Sequence, residues 1–390
     1  MNKLPSLIAA LALAVAGCTA PAVAPEVRAP ASAGKSLASV AARTIVLHDF
    51  RLQSGVVMKE VTIAYETYGK LDASGRNAVL ITHGNTSSFH AAGRYARHQA
   101  ALGVNEDTRG WWDDFIGPGK AFDTDKYFVV SSNMLGGAFG STGPRSTNAA
   151  TGKPYGPDFP DITLVDMVAA QRALLEALGV KHLLAVAGPS YGGFLAFQWA
   201  VTYPDLMDGI VVVVSSPTGG KNPQAIRNIV ANLEKDPNWN GGWYYDRGGI
   251  RATLTDVRVA TLKAYGIEQQ LEKQFPDRAA REAEIRKRAA PWASFFDANS
   301  LVVQRKAMEF RDHEKDFGRI RAKVLYVLST TDRLFPPGIA PNVMAKLKAA
   351  GVDATYHELV SDRGHNAGTQ DALKYEPALR AFLQRLDSAK

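Results

Sequence analysis

Three residue types that can together carry out nucleophilic chemistry occur along the chain in the order serine, aspartate, histidine. The serine is Ser190, which lies within the pattern Gly188-x-Ser190-x-Gly192. An apolar run precedes this pattern and a helix-forming run follows it, which predicts a strand, a sharp turn and a helix. Such a turn lifts the serine hydroxyl above the sheet and requires small neighbouring residues. We therefore interpret Ser190 as a nucleophile, the alternative being an ordinary glycine-rich loop.

A serine hydroxyl needs a general base within hydrogen-bond reach, and histidine commonly serves. Three histidines follow Ser190 in the chain: His313, His357 and His365. His313 lies in a charged run and is predicted to face solvent, and His357 lies within an alternating strand pattern. His365 follows that strand, on a loop before the last helix, which is where the base is needed. We therefore predict that His365 is the base rather than a surface loop histidine.

The carboxylate that orients this base is predicted to be Asp332. It follows the buried-strand pattern at 323–329 directly, and two prolines then end the segment. Asp362 is the alternative, since it is close to His365 in sequence. Two side chains three residues apart on a loop rarely face each other, so we favour Asp332.

Two backbone N–H groups are predicted to stabilise the charge on the substrate oxygen during the reaction. One belongs to Tyr191, the residue after the nucleophile. The other is expected from the loop that follows the short buried strand at 78–82, and we assign it to Asn85. The residues that bind the substrate are not identified by their pattern.

Strand patterns alternate with helical patterns over most of the chain, which predicts an α/β fold with a mostly parallel sheet flanked by helices. An antiparallel hairpin is predicted at 44–50 and 56–68. Thr163 and Asp166 have the spacing of a capping box ahead of a helix. Charged helix formers and aromatic residues dominate 217–319, which predicts a helical lid inserted into a core at 43–216 and 320–387.

The amino terminus has the pattern of an export signal. Lys3 precedes an apolar run, and the only cysteine, Cys18, follows in a sequence that resembles a lipobox. The run is too short for a permanent membrane span. We expect a lipoprotein-type signal peptide at 1–18 with lipid on Cys18, the alternatives being a simple secretory signal or an uncleaved anchor. Residues 19–42 are rich in Ala and Pro and predict a tether to a membrane.

The composition narrows the remaining possibilities. The chain has 390 residues, of which 46% are hydrophobic, enough for one large or two ordinary domains. Because the only cysteine is assigned to lipid attachment, the mature chain is expected to have no disulfide, no cysteine-ligated zinc and no cysteine nucleophile. No metal or cofactor is expected. The net charge of +7 indicates either attraction to an anionic membrane surface or simply a soluble protein surface. No sequence pattern indicates nucleic-acid binding.

With these residues placed, the chain resembles the homoserine O-acetyltransferase branch of the α/β-hydrolase superfamily over most of 44–386. The stretches that resemble family signatures are Asn133-Met-Leu-Gly-Gly137, Gly140-Ser-Thr-Gly-Pro144, Asp236-Pro-Asn-Trp239, Phe296-Asp-Ala-Asn299, Leu334-Phe-Pro-Pro337 and Gly364-His365. The resemblance implies an α/β-hydrolase fold and a catalytic triad of Ser190, Asp332 and His365. It also implies transfer of an acetyl group from acetyl-CoA to an amino-acid hydroxyl through an acyl-serine.

The chain departs from this family where an arginine is associated with the amino-acid substrate: Val230 occupies that position, and Arg227 is nearby but out of register. Acetyl-CoA is also a cytoplasmic metabolite, whereas this chain carries an export signal. The sequence therefore favours an exported esterase that hydrolyses small acyl esters. The alternatives are an O-acetyltransferase that uses acetyl-CoA and a binding protein with an inactive elbow. The oligomeric state stays open, a dimer included.

Overall fold

The computed structural model describes residues 37, 40–95, 108–220 and 222–388. The predicted signal peptide with Cys18 and all but the last part of the predicted tether lie outside these residues. Among the helices that are described, none combines the length and the apolar character needed to cross a membrane.

The described residues form twelve strands and ten α-helices. The strands are β1 (Arg43–Arg51), β2 (Val57–Tyr68), β3 (Ala78–Thr82), β4 (Ile116–Gly117), β5 (Phe122–Asp123), β6 (Phe128–Ser132), β7 (Thr147–Asn148), β8 (Lys153–Pro154), β9 (Leu183–Pro189), β10 (Met207–Val213), β11 (Lys323–Ser329) and β12 (Ala354–Leu359). The helices are α1 (Leu164–Ala177), α2 (Tyr191–Thr202), α3 (Pro223–Leu233), α4 (Arg251–Ala264), α5 (Ile267–Leu271), α6 (Arg278–Ala293), α7 (Ala298–Glu309), α8 (Ala340–Ala349), α9 (Ala367–Gln370) and α10 (Glu376–Asp387).

The central sheet of the described residues has eight strands in the order β1-β2-β6-β3-β9-β10-β11-β12. The six strands β6, β3, β9, β10, β11 and β12 run parallel to one another, whereas β1 and β2 form an antiparallel hairpin at one edge and β2 pairs antiparallel with β6. Both the mostly parallel sheet and the opening hairpin were predicted from the sequence and are confirmed. The parallel arrangement places the carboxyl ends of β3, β9, β11 and β12 at one edge of the sheet.

The strands of the sheet centre are apolar along their whole length because helices cover both faces. Every residue of β3 and β9 is buried. Side chains of α1, α2 and α8 pack on one face and those of α10 on the other. Helix α1 begins at the predicted capping box, in which the Thr163 side chain accepts from the Asp166 N–H and the Asp166 carboxylate accepts from the Thr163 N–H. This confirms the sequence prediction for that helix.

The segment between β10 and β11 contains helices α3 to α7 and, within its described residues, no strand. We call this segment the insertion. Its aromatic side chains, which include Trp239, Tyr244, Trp292 and Phe296, form one hydrophobic cluster with Phe89 and Phe139 of the core. This cluster packs the insertion against the core.

The prediction that His313 faces solvent is wrong, because its side chain is 3% exposed. The chain turns back against α2 after α7, which packs the imidazole on the Phe197 ring at 6.0 Å between centroids. The ring nitrogens lie 3.0 Å from the Pro217 carbonyl oxygen and 3.1 Å from the Gln198 side-chain oxygen. Burial lowers the pKa of His313 to about 3, so the ring is neutral.

Candidate active site

Ser190 lies on the sharp turn between β9 and α2 that the sequence predicts. Its φ is 50° and its ψ is −111°, a backbone conformation that residues other than glycine rarely adopt. The Ser190 N–H donates to the Val213 carbonyl oxygen at 2.8 Å, and the Ser215 hydroxyl donates to the Ser190 carbonyl oxygen at 2.6 Å. The end of β10 therefore holds the strained turn in place.

The two glycines of the motif allow this turn to pack directly on the end of β3. A Cβ on Gly188 would lie 2.2 Å from the Thr82 hydroxyl oxygen, and one on Gly192 would lie 2.1 Å from the Thr82 carbonyl oxygen. The Thr82 hydroxyl also donates to the Gly192 carbonyl oxygen at 2.9 Å. This close approach brings the loop after β3 next to Ser190, and it leaves no room for a side chain at either glycine.

The structure pairs His365 with Asp332. The distance from His365 Nδ1 to Asp332 Oδ2 is 2.7 Å, and both side chains are fully buried. The other carboxylate oxygen accepts the N–H groups of Leu334 at 2.8 Å and Phe335 at 3.3 Å, which fixes the orientation of the carboxylate. The sequence alternative, Asp362, has a side chain that is 89% exposed and is not brought to the imidazole.

Ser190 and His365 are both buried beneath the insertion, at 0% and 2% exposure. Neither the Ser190 Oγ nor the His365 Nε2 has a hydrogen-bond partner among the described residues, so the bond expected between them is not formed. Catalytic hydrogen bonds are often long in structures without substrate and shorten in the complex. The geometry thus provides an oriented imidazole whose second nitrogen is available for proton transfer.

The residues assigned as oxyanion donors lie on two neighbouring elements. Tyr191 is the first residue of α2, and its phenol donates to the Gln304 carbonyl oxygen at 3.1 Å. Asn85 is buried in a turn after β3 that is closed by a bond from the Ser87 N–H to the Gly84 carbonyl oxygen, at 3.1 Å. The elbow and this turn are held together by the packing of Thr82 described above.

The insertion contacts the His365 loop through Tyr265, which follows α4. The Tyr265 and His365 rings lie 4.9 Å apart, and the His365 N–H donates to the Tyr265 carbonyl oxygen at 3.3 Å. Phe335 packs near the same imidazole at 5.6 Å between ring centroids. Burial raises the pKa of the Tyr265 phenol, so it remains protonated at neutral pH. The imidazole is thereby enclosed by rings from the core and from the insertion.

Sequence reasoning missed Arg258, a charged residue of α4 that is 2% exposed. Its Nη1 donates to the Thr86 hydroxyl at 3.0 Å, and its guanidinium carbon lies 5.3 Å from the centre of the Trp292 ring. A signal was present in the sequence: Arg258 lies one helical turn after the buried Leu254 and two turns before Tyr265, on the apolar face of α4. A charge on such a face needs a specific partner, since burial of an unpaired charge is costly.

Comparison with known proteins gives one matching family model, a similar relative and two similar solved structures. The family model for the alpha/beta hydrolase fold matches residues 77–371. The homoserine O-acetyltransferase of Deferribacter desulfuricans is 37% identical over 361 residues, which cover 87% of this chain and 93% of that protein. The solved structure of homoserine O-acetyltransferase from Bacillus anthracis is 30% identical with a TM-score of 0.81, covering 89% of this chain and 98% of that one. The structure of esterase E22 has the same identity and TM-score, and covers 88% of this chain and 100% of that one.

Proposed function

The chain belongs to the homoserine O-acetyltransferase branch of the α/β-hydrolase fold family, and from this premise we propose that it transfers an acyl group from a thioester to the hydroxyl of a small amino acid. In this proposal Ser190 is the nucleophile, His365 the general base and Asp332 the residue that orients the base. The N–H groups of Tyr191 and Asn85 bind the oxyanion. Acetyl-CoA is the expected donor and homoserine the first acceptor to test.

The reaction proceeds in two halves that share the same groups. His365 Nε2 takes the proton of Ser190 as the serine oxygen attacks the thioester carbonyl, and the tetrahedral intermediate then expels the thiol, which leaves with that proton. In the second half the acceptor hydroxyl gives its proton to His365 and attacks the acyl-serine. Collapse of this second intermediate releases the ester and returns the proton to Ser190.

The observation that carries the proposal is the burial of Ser190 and His365 beneath the insertion. An acyl-serine partitions between water and an alcohol according to which is better placed against its carbonyl carbon. A transferase must therefore exclude water and hold its acceptor. The contacts of Tyr265 with His365 supply such a cover over the reacting groups.

Arg258 supplies a cation for the carboxylate of an amino-acid acceptor. Arg258 is buried and contacts Thr86 in the turn that contains Asn85. It lies on α4, the helix that Tyr265 directly follows. A guanidinium binds a carboxylate through a charge-assisted pair of hydrogen bonds. The half-buried Val230 on α3 thus no longer argues against an amino-acid acceptor, because a different arginine can serve this purpose. The presence of Val230 therefore no longer favours an esterase over an O-acetyltransferase.

Hydrolysis of small esters is the second candidate, and one specific observation favours it. Esterase E22 matches this fold as well as the acetyltransferase from Bacillus anthracis does, with a TM-score of 0.81 for both. The same acyl-serine forms in either reaction, so the two candidates differ in the acyl donor and in whether water or an alcohol receives the acyl group.

A single purified sample tests both candidates. We expect homoserine to accelerate the release of CoA from acetyl-CoA and to yield O-acetylhomoserine, with slow turnover of p-nitrophenyl acetate in its absence. Ser190→Ala is the control and should abolish both reactions. Rapid hydrolysis of p-nitrophenyl acetate that homoserine does not change, with no O-acetylhomoserine formed, would replace the transferase with the esterase.

Export and membrane anchoring through Cys18 remain a proposal, and export bears on the acyl donor because acetyl-CoA is a cytoplasmic metabolite. The lipobox-like sequence supports it. Cys18→Ser should abolish incorporation of labelled fatty acid and release the protein from the membrane fraction. A mature amino terminus at Met1, or one well downstream of Cys18, would contradict this reading.

A further inference from the structure

The turn that contains Asn85 is bound from the core and from the insertion, and on each side a ring N–H of a side chain contacts one of its carbonyl oxygens. Arg258 also contacts the turn, through the Thr86 hydroxyl. The turn runs from Gly84 to Ser87 and is closed by the bond from the Ser87 N–H to the Gly84 carbonyl oxygen. The Gly84 carbonyl and the Asn85 N–H belong to the same planar peptide group, in which they point in opposite directions. Whatever fixes the Gly84 carbonyl therefore fixes the direction of the Asn85 N–H.

From the core, His83 holds this carbonyl. Its Nδ1 lies 2.6 Å from the Gly84 oxygen, and its Nε2 lies 3.2 Å from the N–H of Met134, which donates to it. Only the neutral tautomer with hydrogen on Nδ1 satisfies both contacts. Burial lowers the pKa of His83 to about 4, which keeps the ring neutral. The imidazole thus ties the turn to the loop after β6.

From the insertion, Trp292 holds the other end of the turn. Its indole Nε1 donates to the Thr86 carbonyl oxygen at 3.1 Å. The Thr86 carbonyl and the Ser87 N–H also share one peptide group. A continuous chain of hydrogen bonds therefore runs from the Trp292 indole through the 86–87 peptide and the 84–85 peptide to the Asn85 N–H. Hydrogen bonds linked in this way polarise one another, so each donor becomes stronger.

We propose that Trp292 and His83 are positioning residues for the oxyanion hole, which reaches full strength only when α6 of the insertion is seated on the turn. The proposal rests on the acyl-serine chemistry proposed above. It assigns the insertion a part in the acylation step itself, in addition to covering the site.

The variant Trp292→Phe removes the indole N–H and retains an aromatic ring. The ring can still stack on Phe296, whose centroid lies 4.4 Å from that of Trp292. The matched control is Trp239→Phe in the same cluster, because the Trp239 Nε1 has no hydrogen-bond partner among the described residues. The two variants change the same atoms, and only one of them breaks the chain of hydrogen bonds.

The readout is inhibition by α,α,α-trifluoroacetophenone, which forms a hemiketal with an active serine and places an oxyanion in the hole. Acetophenone is the comparison, because its ketone forms no appreciable hemiketal. We expect Trp292→Phe to raise the inhibition constant of the trifluoromethyl ketone about tenfold, a part of the hundredfold or more that loss of a whole donor costs. The constant for acetophenone should stay within about twofold, as should both constants in Trp239→Phe. Equal effects on the two ketones, or no effect on either, would overturn the proposal.

Substitutions of His83 give an independent test if Trp292→Phe does not fold. Asparagine places an amide N–H near the position of Nδ1 and keeps the donor to Gly84, whereas glutamine reaches the position of Nε2 and keeps only the contact with Met134. We expect kcat for p-nitrophenolate release from p-nitrophenyl acetate to fall in the order wild type, His83→Asn, His83→Gln, with KM within about twofold. Equal or reversed values for the two variants would show that the Gly84 contact does not matter.

These measurements separate the positioning proposal from the proposed function. Neither probe requires acetyl-CoA or an acceptor alcohol, so the outcome does not depend on whether the enzyme is a transferase. Failure of the acyl-serine premise has its own signature: Ser190→Ala would bind the trifluoromethyl ketone as tightly as the wild type does.

Discussion

The α/β core and the insertion meet over Ser190, and they bury polar groups in different ways. In the core, buried polar groups contact one another, as His365 contacts Asp332 at 2.7 Å. In the insertion, the buried Arg258 and the Trp292 indole reach across to the core and both contact Thr86. The pairing of His365 with Asp332 therefore needs only the core, whereas Arg258 and Trp292 acquire these partners only when the insertion is seated on the core.

This difference separates two properties of the proposed enzyme. Changes in the core should affect every acyl substrate alike, because they alter the groups that form the acyl-serine. Loss of the Arg258 cation in the insertion should instead affect the half-reaction that uses the acceptor more than acylation. The predictions below test this division, beginning with the largest expected effect.

Loss of a core group should be severe for all substrates. Ser190→Ala and His365→Ala should each lower kcat by about 10⁴ or more, with little further loss when combined, because these residues act as a unit. Asp332→Asn should lower kcat by about 10⁴ through the wrong imidazole tautomer. Rates with p-nitrophenyl acetate measure these effects. The control is Asp362→Asn, and the assignment fails if this variant is crippled while Asp332→Asn is nearly normal.

His313, near the end of the insertion where it packs on α2, should make the stability of the fold depend on pH. Its pKa is about 3 in the folded protein because of burial, against about 6.5 when unfolded. Between these values the unfolded chain binds a proton that the folded chain does not, so stability is lost as pH falls below about 6.5. The free energy of unfolding should therefore decrease by about 3 kcal/mol more between pH 7 and pH 4 in the wild type than in His313→Gln. Parallel profiles from denaturant titrations would contradict this.

Loss of Arg258 should separate the two half-reactions. Arg258→Met keeps much of the packing on Trp292 and removes the cation. We expect the kcat/KM for homoserine to fall about a hundredfold, because a charge-assisted contact is lost. The rate of acylation by p-nitrophenyl acetate should change by less than about threefold. An equal loss in both measurements would show that Arg258 contributes to formation of the acyl-serine and not specifically to binding of the acceptor.

The smallest effect is expected at Val230, the position that the family resemblance associates with substrate. Val230→Arg places a second cation on α3, where the native side chain is half-buried. We expect KM for homoserine to change by less than about twofold, because Arg258 already supplies the cation. A fall in KM of tenfold or more would show that the carboxylate site lies at α3 and that Arg258 has another use.

The local structures of the core could be predicted from the sequence because each depends on residues that are neighbours in the chain. The glycines around Ser190, the capping box of α1 and the buried-strand pattern before Asp332 all follow from backbone conformation and burial over one element. The position of Asp332 just after a strand then favoured it over Asp362, since the carboxyl ends of parallel strands meet at one edge of the sheet. A side chain three residues before His365 on the same loop rarely faces the imidazole. The structure places His365 against Asp332 in agreement with that argument.

The prediction for His313 relied on its neighbours in the chain, as the successful predictions did, but its environment is set by distant residues. Its neighbours in sequence are charged, and a run of charges normally faces solvent. The chain after α7 instead turns back on α2, so the contacts with Phe197 and Gln198 come from a distant part of the sequence. Local composition does not record such a contact.

The sequence by itself determined the fold class, the strained turn at Ser190 and the strand ends that carry Asp332 and His365, because these depend on periodicity and on short-range steric rules. Only the tertiary structure decided which residues of the insertion face the site. Arg258 and Trp292 contact Thr86 from positions 172 and 206 residues away in the chain. Contacts across such distances arise from how helices pack on the sheet edge, and no local pattern specifies that packing.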